Sequence, residues 1–342
     1  MEDRVSAELL GWYAGHARVL GWRLPPGSAE RQDPYRVWLS EVMLQQTTTA
    51  HAAPYFDKFI NLWPTVEALA AADEAAVMAE WAGLGYYSRA RNMIACARAV
   101  AERRGFPWSE DELRRLPGIG EYTAAAIVAI AHGRRALVID ANVERVVARL
   151  NAIEQPLPGA RKAIRAAAEA ITPAERAGDF AQAMMDLGAT ICTPRNPKCL
   201  LCPLSDLCQA RAQGRQDELP VKTPKKARPK RAGTAFWIER DGKVWLVTRP
   251  GKGLLGGMRA LPDDGWNARQ DGSGEAPVAG AWQAGGVVRH TFTHFELELG
   301  LAIFAGEGGT ELEGGEWWPM ADLDAAGLPT LFAKAARLAL SA

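Results

Sequence analysis

The amino-acid sequence predicts two domains, an all-α domain followed by a smaller α+β domain. The chain has 342 residues, which exceeds the roughly 250–300 residues at which a single core stops growing. Apolar residues recur at helical spacing in the first part, and strand signals are almost absent before residue 215. A basic, proline-rich segment at 216–232 then separates this pattern from an alternating one. We therefore predict a helical domain over 1–215, a linker over 216–232 and an α+β domain over 233–342.

The composition is typical of a folded protein, because hydrophobic residues make up 48% of the chain and charged residues 23%. No apolar run approaches the roughly 18 residues of a membrane span, and the N-terminus lacks the basic-then-apolar order of a signal peptide. We expect a soluble cytoplasmic protein with no membrane partner. The formal net charge is zero, which does not favour a wholly basic nucleic-acid binder but leaves room for local basic patches.

The helices of the first domain are predicted from hydrophobic spacing. The longest prediction is one continuous helix from Pro34 to about Asn61, with Tyr35, Trp38 and Val42 at helical intervals. Shorter helices are predicted over Glu74–Trp81, Ser88–Arg104, Glu121–Ala131, Asn142–Leu150, Arg161–Ala170 and Phe180–Leu187.

A glycine turn at Leu116–Ala124 opens directly onto a predicted helix. Gly118 and Gly120 allow a tight turn, and the helix N-terminus offers N–H groups to an anion such as a DNA phosphate. A plain connection between two helices explains the same pattern. Together with Asp140 further downstream, however, the turn resembles the helix-hairpin-helix signature of the endonuclease III superfamily of DNA glycosylases. This resemblance implies that Gly118 and Gly120 bind DNA.

Four of the five cysteines follow the spacing C-x6-C-x2-C-x5-C, and the fifth, Cys96, is expected to be a buried apolar residue. In a reducing compartment such a cluster indicates a metal site before it indicates disulfides. Cysteine-only ligation suits zinc or an iron–sulfur cluster, and the spacing alone leaves both open. The spacing also resembles the [4Fe–4S] loop of the endonuclease III superfamily, which implies that the cluster lies over 192–208 and has a structural role. The implied ligands are Cys192, Cys199, Cys202 and Cys208.

Two carboxyl groups are candidates for acid and anion chemistry. Glu41 stands in the apolar run Val37–Thr47, so it lies either on the wet face of a helix or in a desolvated position that would raise its pKa and keep it protonated. Asp140 begins a predicted helix, where it is either only an N-cap or a carboxylate held ionised by N–H donors. A neutral acid beside an ionised carboxylate is the division of roles that separates a general acid from an electrostatic stabiliser.

The run Ser-Glu-Val-Met-Leu-Gln-Gln-Thr at 40–47 resembles the MutY-type adenine glycosylases. The resemblance implies that Glu41 protonates adenine N7 and that Asp140 stabilises the oxocarbenium charge on the sugar, with Tyr122 and Asn142 in support. It also implies that Gln46, Thr47 and the loop Gly83–Arg89 wedge into the duplex while the base is flipped. The loop residues concerned are Leu84 and Tyr86. The implied adenine-pocket residues are Trp22, Arg23 and Gln182.

The second domain begins with strand patterns at Thr234–Glu239 and Lys243–Thr248, which flank Asp-Gly and predict a hairpin. Further elements are predicted as strands over Val287–Thr293 and Phe295–Phe304 and as a helix over Thr330–Ser341. This part resembles the MutT-like (Nudix-fold) domain of adenine glycosylases. It lacks the Arg-Glu…Glu-Glu helix that holds magnesium, so we expect binding without hydrolysis. The implied readers of oxidised guanine are Phe292, Thr293 and His294, with threonine in place of the family's serine.

These features imply a monofunctional glycosylase of base excision repair, monomeric and acting on duplex DNA with adenine opposite 8-oxoguanine or guanine. One alternative is an endonuclease III-like bifunctional glycosylase and lyase, which needs a Schiff-base lysine where this chain has Tyr122. Another is a non-catalytic iron–sulfur DNA-binding protein, which does not explain Glu41 and Asp140. A nucleotide pyrophosphatase would need the missing magnesium helix.

Overall fold

Residues 2–223 fold into helices without a β-strand, and the strands of the chain all follow residue 229 in the described residues. The computed structural model describes residues 2–223, 227–250, 253–306 and 312–341. The chain divides into two units, Met1–Pro224 and Lys225–Ala342. None of the helices in the described ranges combines the length and hydropathy of a membrane span.

The helical unit contains twelve α-helices in the described residues. They are α1 (Glu2–His16), α2 (Pro34–Leu44), α3 (Thr49–Leu62), α4 (Val66–Ala71), α5 (Glu74–Glu80), α6 (Ser88–Glu102), α7 (Glu110–Leu113), α8 (Glu121–Ala126), α9 (Ala141–Leu150), α10 (Arg161–Ile171), α11 (Ala177–Thr190) and α12 (Gln209–Ala212). Helix α8 continues as a π-helical turn over Ile127–Ala131. Helix α1 has no counterpart among the predicted helices.

The prediction of one helix from Pro34 to Asn61 is wrong, because the chain breaks between α2 and α3. Helix α2 starts with Asp33 as its N-cap and proline at the first helical position, a favoured combination. It ends at Leu44, after which Gln46 adopts a left-handed conformation with φ of 56°. The Thr48 hydroxyl then accepts a hydrogen bond from the backbone N–H of His51 and caps α3. The break is only four residues long, too short to interrupt the hydrophobic period.

Two hydrophobic clusters form the core of the helical unit. One is built mainly from α2, α3, α6 and α8 with its π-helical continuation, and the other from α1, α9, α10 and α11. Tyr122 and Ile130, from α8 and its π-helical continuation, pack against both clusters. Helix α8 therefore lies where the two clusters meet.

The second unit contains two small sheets and a final helix. Its strands are β1 (Lys230–Trp237), β2 (Glu239–Arg240), β3 (Lys243–Thr248), β4 (Arg259–Ala260), β5 (Trp282–Thr291), β6 (Glu296–Phe304) and β7 (Gly315–Pro319), followed by α13 (Thr330–Leu340). One sheet has the order β1-β6-β5, and the other has the order β2-β3-β4 with β7 also paired to β3. Helix α13 packs against β5. The predicted α+β class is confirmed.

Two predictions about this region need correction. The Asp-Gly turn does form a hairpin, but the ladder joins Glu239 and Arg240 to β3, whereas β1 pairs in parallel with β6. Strand alternation does not identify a strand's partner. The predicted linker 216–232 is also too long at both ends, since Leu219 is buried against the helical unit and β1 begins at Lys230. Residues 224–226 of this segment, including Lys225 and Lys226, lie outside the described residues.

Candidate active site

A cavity of about 390 Å³ opens in the helical unit, and nine of the predicted site residues line it. Its walls come from α2, α8, α9, α11 and the segment that precedes α2. The predicted residues among its lining are Trp22, Arg23, Glu41, Gln46, Thr47, Tyr122, Asp140, Asn142 and Gln182. Residues that are far apart in the sequence therefore meet in one pocket, where α8 joins the two cores.

Glu41 lies on the buried face of α2 and is only 7% exposed. Burial raises the pKa of its carboxyl from 4.5 to about 7, and the negative charge of Asp140 acts in the same direction. A hydrogen bond with Tyr122 and the positive charge of Arg23 lower that pKa but do not outweigh the burial. Of the two interpretations of Glu41, the structure favours the desolvated one. The carboxyl can hold a proton near neutral pH, as a general acid must.

Tyr122 lies at the start of α8 with its hydroxyl inside the cavity wall. Burial raises its pKa well above the ordinary value, and the charges of Glu41 and Asp140 raise it further. The hydroxyl therefore stays protonated, donates to the Met185 sulfur at 3.2 Å and lies beside the Glu41 carboxyl. It lines the cavity together with Glu41. Among the described residues that line the cavity, none is a lysine.

Asp140 is both the N-cap of α9 and part of the cavity wall. One carboxylate oxygen accepts a hydrogen bond from the Val143 backbone N–H at 2.7 Å, and the other accepts from the Asn142 side-chain amide at 2.8 Å. Both N–H groups and the helix N-terminus stabilise a negative charge at this position. The two interpretations of Asp140 are thus compatible, because capping leaves the carboxylate at the cavity.

Asn142 is itself held in place by Arg145. The Arg145 guanidinium donates to the Asn142 side-chain oxygen at 2.8 Å and to the Gly188 carbonyl at 2.6 Å. Its Nε donates to the backbone carbonyl of Cys192 at 2.7 Å. A continuous hydrogen-bonded chain therefore connects Asp140 with the backbone of the first cysteine in the cysteine-rich loop.

Asp186 organises the other side of the cavity and was not among the predicted site residues. Its fully buried carboxylate accepts from the backbone N–H and the guanidinium of Arg18, at 3.0 and 2.6 Å, and from Arg23 at 2.8 Å. The two arginines line the cavity, so Asp186 fixes where their charges lie. An acid within the apolar run that ends α11 was the available signal, and it is the same kind of signal that identified Glu41.

Two predicted pocket residues are buried beside the arginines. Trp22 is 6% exposed and packs edge-on against Phe56, with ring centroids 5.1 Å apart. Gln182 is 3% exposed and its side-chain amide donates to the Gly178 carbonyl at 3.3 Å. Both present fixed surfaces to the cavity.

The residues predicted to wedge into DNA differ in accessibility. Tyr86 is 52% exposed and has a left-handed backbone with φ of 46°. Gln46 is also left-handed, and it lines the cavity together with Thr47. Leu84, in contrast, is 5% exposed within the first hydrophobic cluster. The prediction that Leu84 contacts DNA does not fit this placement, because its side chain already packs inside the protein.

The glycine turn before α8 leaves its backbone accessible. Gly118 has φ of 74°, and a Cβ atom there would lie 2.8 Å from the Asn92 side chain, so a larger residue would be strained. Gly120 is the N-cap of α8, and no side chain caps the first turn of that helix. Its N–H groups therefore remain available to a phosphate.

All four clustered cysteines are unpaired thiols and line one small cavity next to Arg149. The buried Arg149 guanidinium lies 3.2 Å from the Cys192 sulfur and donates to the Thr193 carbonyl at 2.7 Å. Among the described residues, no three His, Cys, Asp or Glu side chains converge as a single metal ion requires. A [4Fe–4S] cluster does not require that convergence, because each thiolate binds a different iron. Cys96, as predicted, is fully buried.

The second unit places the predicted guanine readers in the turn between β5 and β6. The Phe292 backbone N–H donates to the Phe295 carbonyl at 2.9 Å, and the two rings stack with centroids 4.7 Å apart. This closed turn leaves Thr293 and His294 exposed at its tip.

Three segments of the chain match known protein families. Residues 39–173 match the HhH-GPD superfamily of base excision DNA repair proteins, residues 192–208 the iron-sulfur binding domain of endonuclease III, and residues 234–338 the NUDIX domain. The chain is 32% identical to the adenine DNA glycosylase of Homo sapiens, with 96% of this chain and 73% of that protein aligned. It is 34% identical to the adenine DNA glycosylase of Rattus norvegicus, with 96% and 77% aligned.

A solved structure supports the helical fold. A thermostable thymine-DNA glycosylase superimposes with a TM-score of 0.53 at 29% identity, covering 62% of this chain and 97% of that one. The predicted helix-hairpin-helix fold, the iron–sulfur cofactor and the Nudix fold of the second domain are thus confirmed. The chain is a DNA repair enzyme that belongs to the adenine DNA glycosylase family.

Proposed function

We propose that this chain hydrolyses the N-glycosidic bond of adenine in duplex DNA where adenine is paired with 8-oxoguanine or guanine, and that it leaves the strand uncut. The observation that carries this proposal is the pair of carboxyl groups in one cavity. Glu41 has its pKa raised to about 7 by burial, while Asp140 accepts two N–H hydrogen bonds. Acid and anion are thus separated by their environments.

Glu41 is the proposed general acid. Its proton passes to adenine N7, the bond from the sugar C1′ to N9 breaks, and the electron pair leaves with the neutral base. Tyr122, whose hydroxyl lies beside the carboxyl in the cavity wall, is the proposed orienting group for this transfer. General acid catalysis of this kind contributes about 10²- to 10⁴-fold in rate.

Asp140 is the proposed stabiliser of the positive charge that develops on the sugar. Its own position is set by Asn142 and the backbone of α9. Water then adds to C1′ and returns a proton to the Glu41 carboxylate, which restores the acid. The products are free adenine and an abasic site in an intact strand.

A lyase reaction through a Schiff base is not favoured. That chemistry needs an amine next to C1′, and the described cavity lining holds Tyr122 and no lysine. Hydrolysis by water is the reaction that the lining residues support.

The remaining residues are assigned to binding. Trp22, Arg23 and Gln182 enclose the flipped adenine, and Gln46, Thr47 and Tyr86 fill or border the gap that it leaves in the stack. Phosphates bind at Gly118 and Gly120 through the uncapped N-terminus of α8. The iron–sulfur cluster, held by Cys192, Cys199, Cys202 and Cys208, would give the 192–208 loop a fixed shape.

The second unit is proposed to recognise oxidised guanine through Phe292, Thr293 and His294, the last two of which are exposed at the turn tip. We also propose that the protein acts as a monomer in the cytoplasm. Five unpaired cysteines suit a reducing compartment.

The test is a single-turnover assay on duplexes in which adenine faces 8-oxoguanine, guanine or thymine. We expect strand breaks only after hot alkali, fastest opposite 8-oxoguanine and slowest opposite thymine. The Glu41→Gln variant should lose excision while it retains duplex binding, with Glu175→Gln, an exposed loop substitution, as the matched control. Strand breaks without alkali, or efficient covalent trapping by borohydride, would show a lyase instead.

A further inference from the structure

Arg89 is a buried cation outside the cavity whose role is not explained by the proposed chemistry. It lies in the first turn of α6 and is 8% exposed, and burial lowers its pKa. The five oxygen atoms within hydrogen-bond distance of its guanidinium are all neutral. Burying a charge without an ionic partner is costly, so this position needs a structural reason.

The guanidinium connects two loops that lie far apart in the sequence. One terminal nitrogen donates to the Val42 and Met43 carbonyls, each at 3.0 Å, in the last turn of α2. The other donates to the Leu84 carbonyl at 2.9 Å and reaches the Thr47 hydroxyl at 3.3 Å. One rigid, planar group therefore holds the 45–48 break and the 83–87 loop together.

Both loops carry a residue proposed to enter the duplex, and both residues have an unfavourable backbone. Gln46 has φ of 56° and Tyr86 has φ of 46°, conformations that persist in non-glycine residues only where the surroundings hold them. Arg89 supplies part of that support, because its guanidinium lies over the Tyr86 ring at 5.6 Å. The guanidinium also lies over the Trp81 ring at 5.2 Å, and the Trp81 indole N–H donates to the Gly85 carbonyl at 3.0 Å.

We propose that Arg89 is a positioning residue for base extrusion, which holds Gln46 and Tyr86 in the relative placement needed to open the DNA stack. This inference rests on the proposed function, since it assumes that both residues insert into DNA. Because the two loops are already ordered, they lose little conformational entropy when they enter the DNA stack. Lysine cannot replace Arg89 in this role, because a single ammonium lacks the planar fork that reaches acceptors in both loops.

The test uses Arg89→Lys, with Arg98→Lys as the matched control. Arg98 lies on the same helix, but it is exposed and pairs with Glu74. We expect Arg89→Lys to slow single-turnover excision from a fully paired duplex by about 10- to 100-fold, the size expected from a small misplacement of functional groups. The loss should be several-fold smaller when the target adenine faces an abasic site, because an unpaired base costs less to extrude.

Two further measurements separate positioning from other roles. In a Glu41→Gln background, 2-aminopurine at the target position should show less fluorescence gain with Arg89→Lys than with Arg98→Lys. The pH midpoint of excision by the Arg89→Lys single variant, in which Glu41 is unchanged, should stay at the wild-type value. A shifted midpoint, or an equal loss on both substrates, would overturn the inference and indicate an effect on the acid or on the whole fold.

A second variant keeps the inference testable if Arg89→Lys does not fold. Trp81→Phe leaves a ring beside the guanidinium but removes the indole hydrogen bond to Gly85, so it should produce the same substrate-dependent loss in smaller degree. Wild-type rates for both variants on both substrates would overturn the inference and leave the proposed function intact. A wild-type protein inactive on every adenine duplex would instead overturn the proposed function.

Discussion

The raised pKa of Glu41 predicts that the ionised form of this residue destabilises the folded protein, so the free energy of unfolding depends on pH. The folded protein raises the pKa from 4.5 to about 7, so it binds this proton more tightly than the unfolded chain does. The stabilisation that comes from this tighter proton binding is fully present below about pH 4.5 and is lost as pH rises through about 7. The shift corresponds to about 3 kcal/mol at roughly 1.4 kcal/mol per pKa unit.

The substitution Glu41→Gln keeps the shape of the side chain and removes the titration. Near pH 5 the variant should be more stable by less than about 1 kcal/mol, because the folded protein keeps the Glu41 proton while the unfolded chain, with a pKa of 4.5, has begun to lose it. At pH 8 the buried carboxylate is ionised, and the variant should be more stable by up to about 3 kcal/mol. The assay is urea unfolding of both proteins at the two pH values, since all other titrating groups cancel in the difference. Glu175→Gln, a substitution in an exposed loop, is the matched control.

The same pKa predicts the activity profile. Single-turnover excision should be half-maximal near pH 7 and fall about tenfold for each further pH unit, as the protonated fraction of the acid does. Glu41→Gln would then be an inactive protein that is more stable than the wild type in mild alkali. Equal stability differences at pH 5 and pH 8, or an excision rate that already falls from pH 5, would refute the assignment of a buried, protonated Glu41.

Three other predictions concern the buried arginine pair, the cysteine loop and the turn between β5 and β6. Asp186→Asn should lower the free energy of unfolding by about 3 kcal/mol, because it leaves Arg18 and Arg23 without their buried partner; a change below about 1 kcal/mol in urea unfolding would contradict this. Cys199→Ser should remove most of the brown visible absorption and the iron, about four atoms per wild-type chain, and should weaken DNA binding; full iron content would exclude Cys199 as a ligand. His294→Ala should reduce the preference for 8-oxoguanine over guanine by about 5- to 150-fold, while excision opposite guanine stays near the wild-type rate; an unchanged preference would remove His294 from recognition.

Features that reside in short, local patterns are predictable from the amino-acid sequence. The cysteine spacing, the glycine turn before α8 and the acid within an apolar run each lie in one contiguous segment. Helices α6, α9 and α10 match their predicted ranges within a few residues, because hydrophobic spacing repeats over several turns. Local patterns and the family resemblance together are therefore sufficient to name Glu41, Tyr122 and Asp140 as candidates.

How those residues act on one another depends on the packed chain. The pKa of Glu41 depends on burial, on the Tyr122 hydroxyl and on the charges of Asp140 and Arg23, none of which a local pattern contains. Asp186 and Arg23 are 163 residues apart in the chain, and β1 finds its parallel partner β6 only in the folded sheet. Leu84 and Arg89 are buried for the same reason. Burial and long-range pairing are tertiary properties, because they arise from the simultaneous contact of segments whose sequences carry no signal of one another.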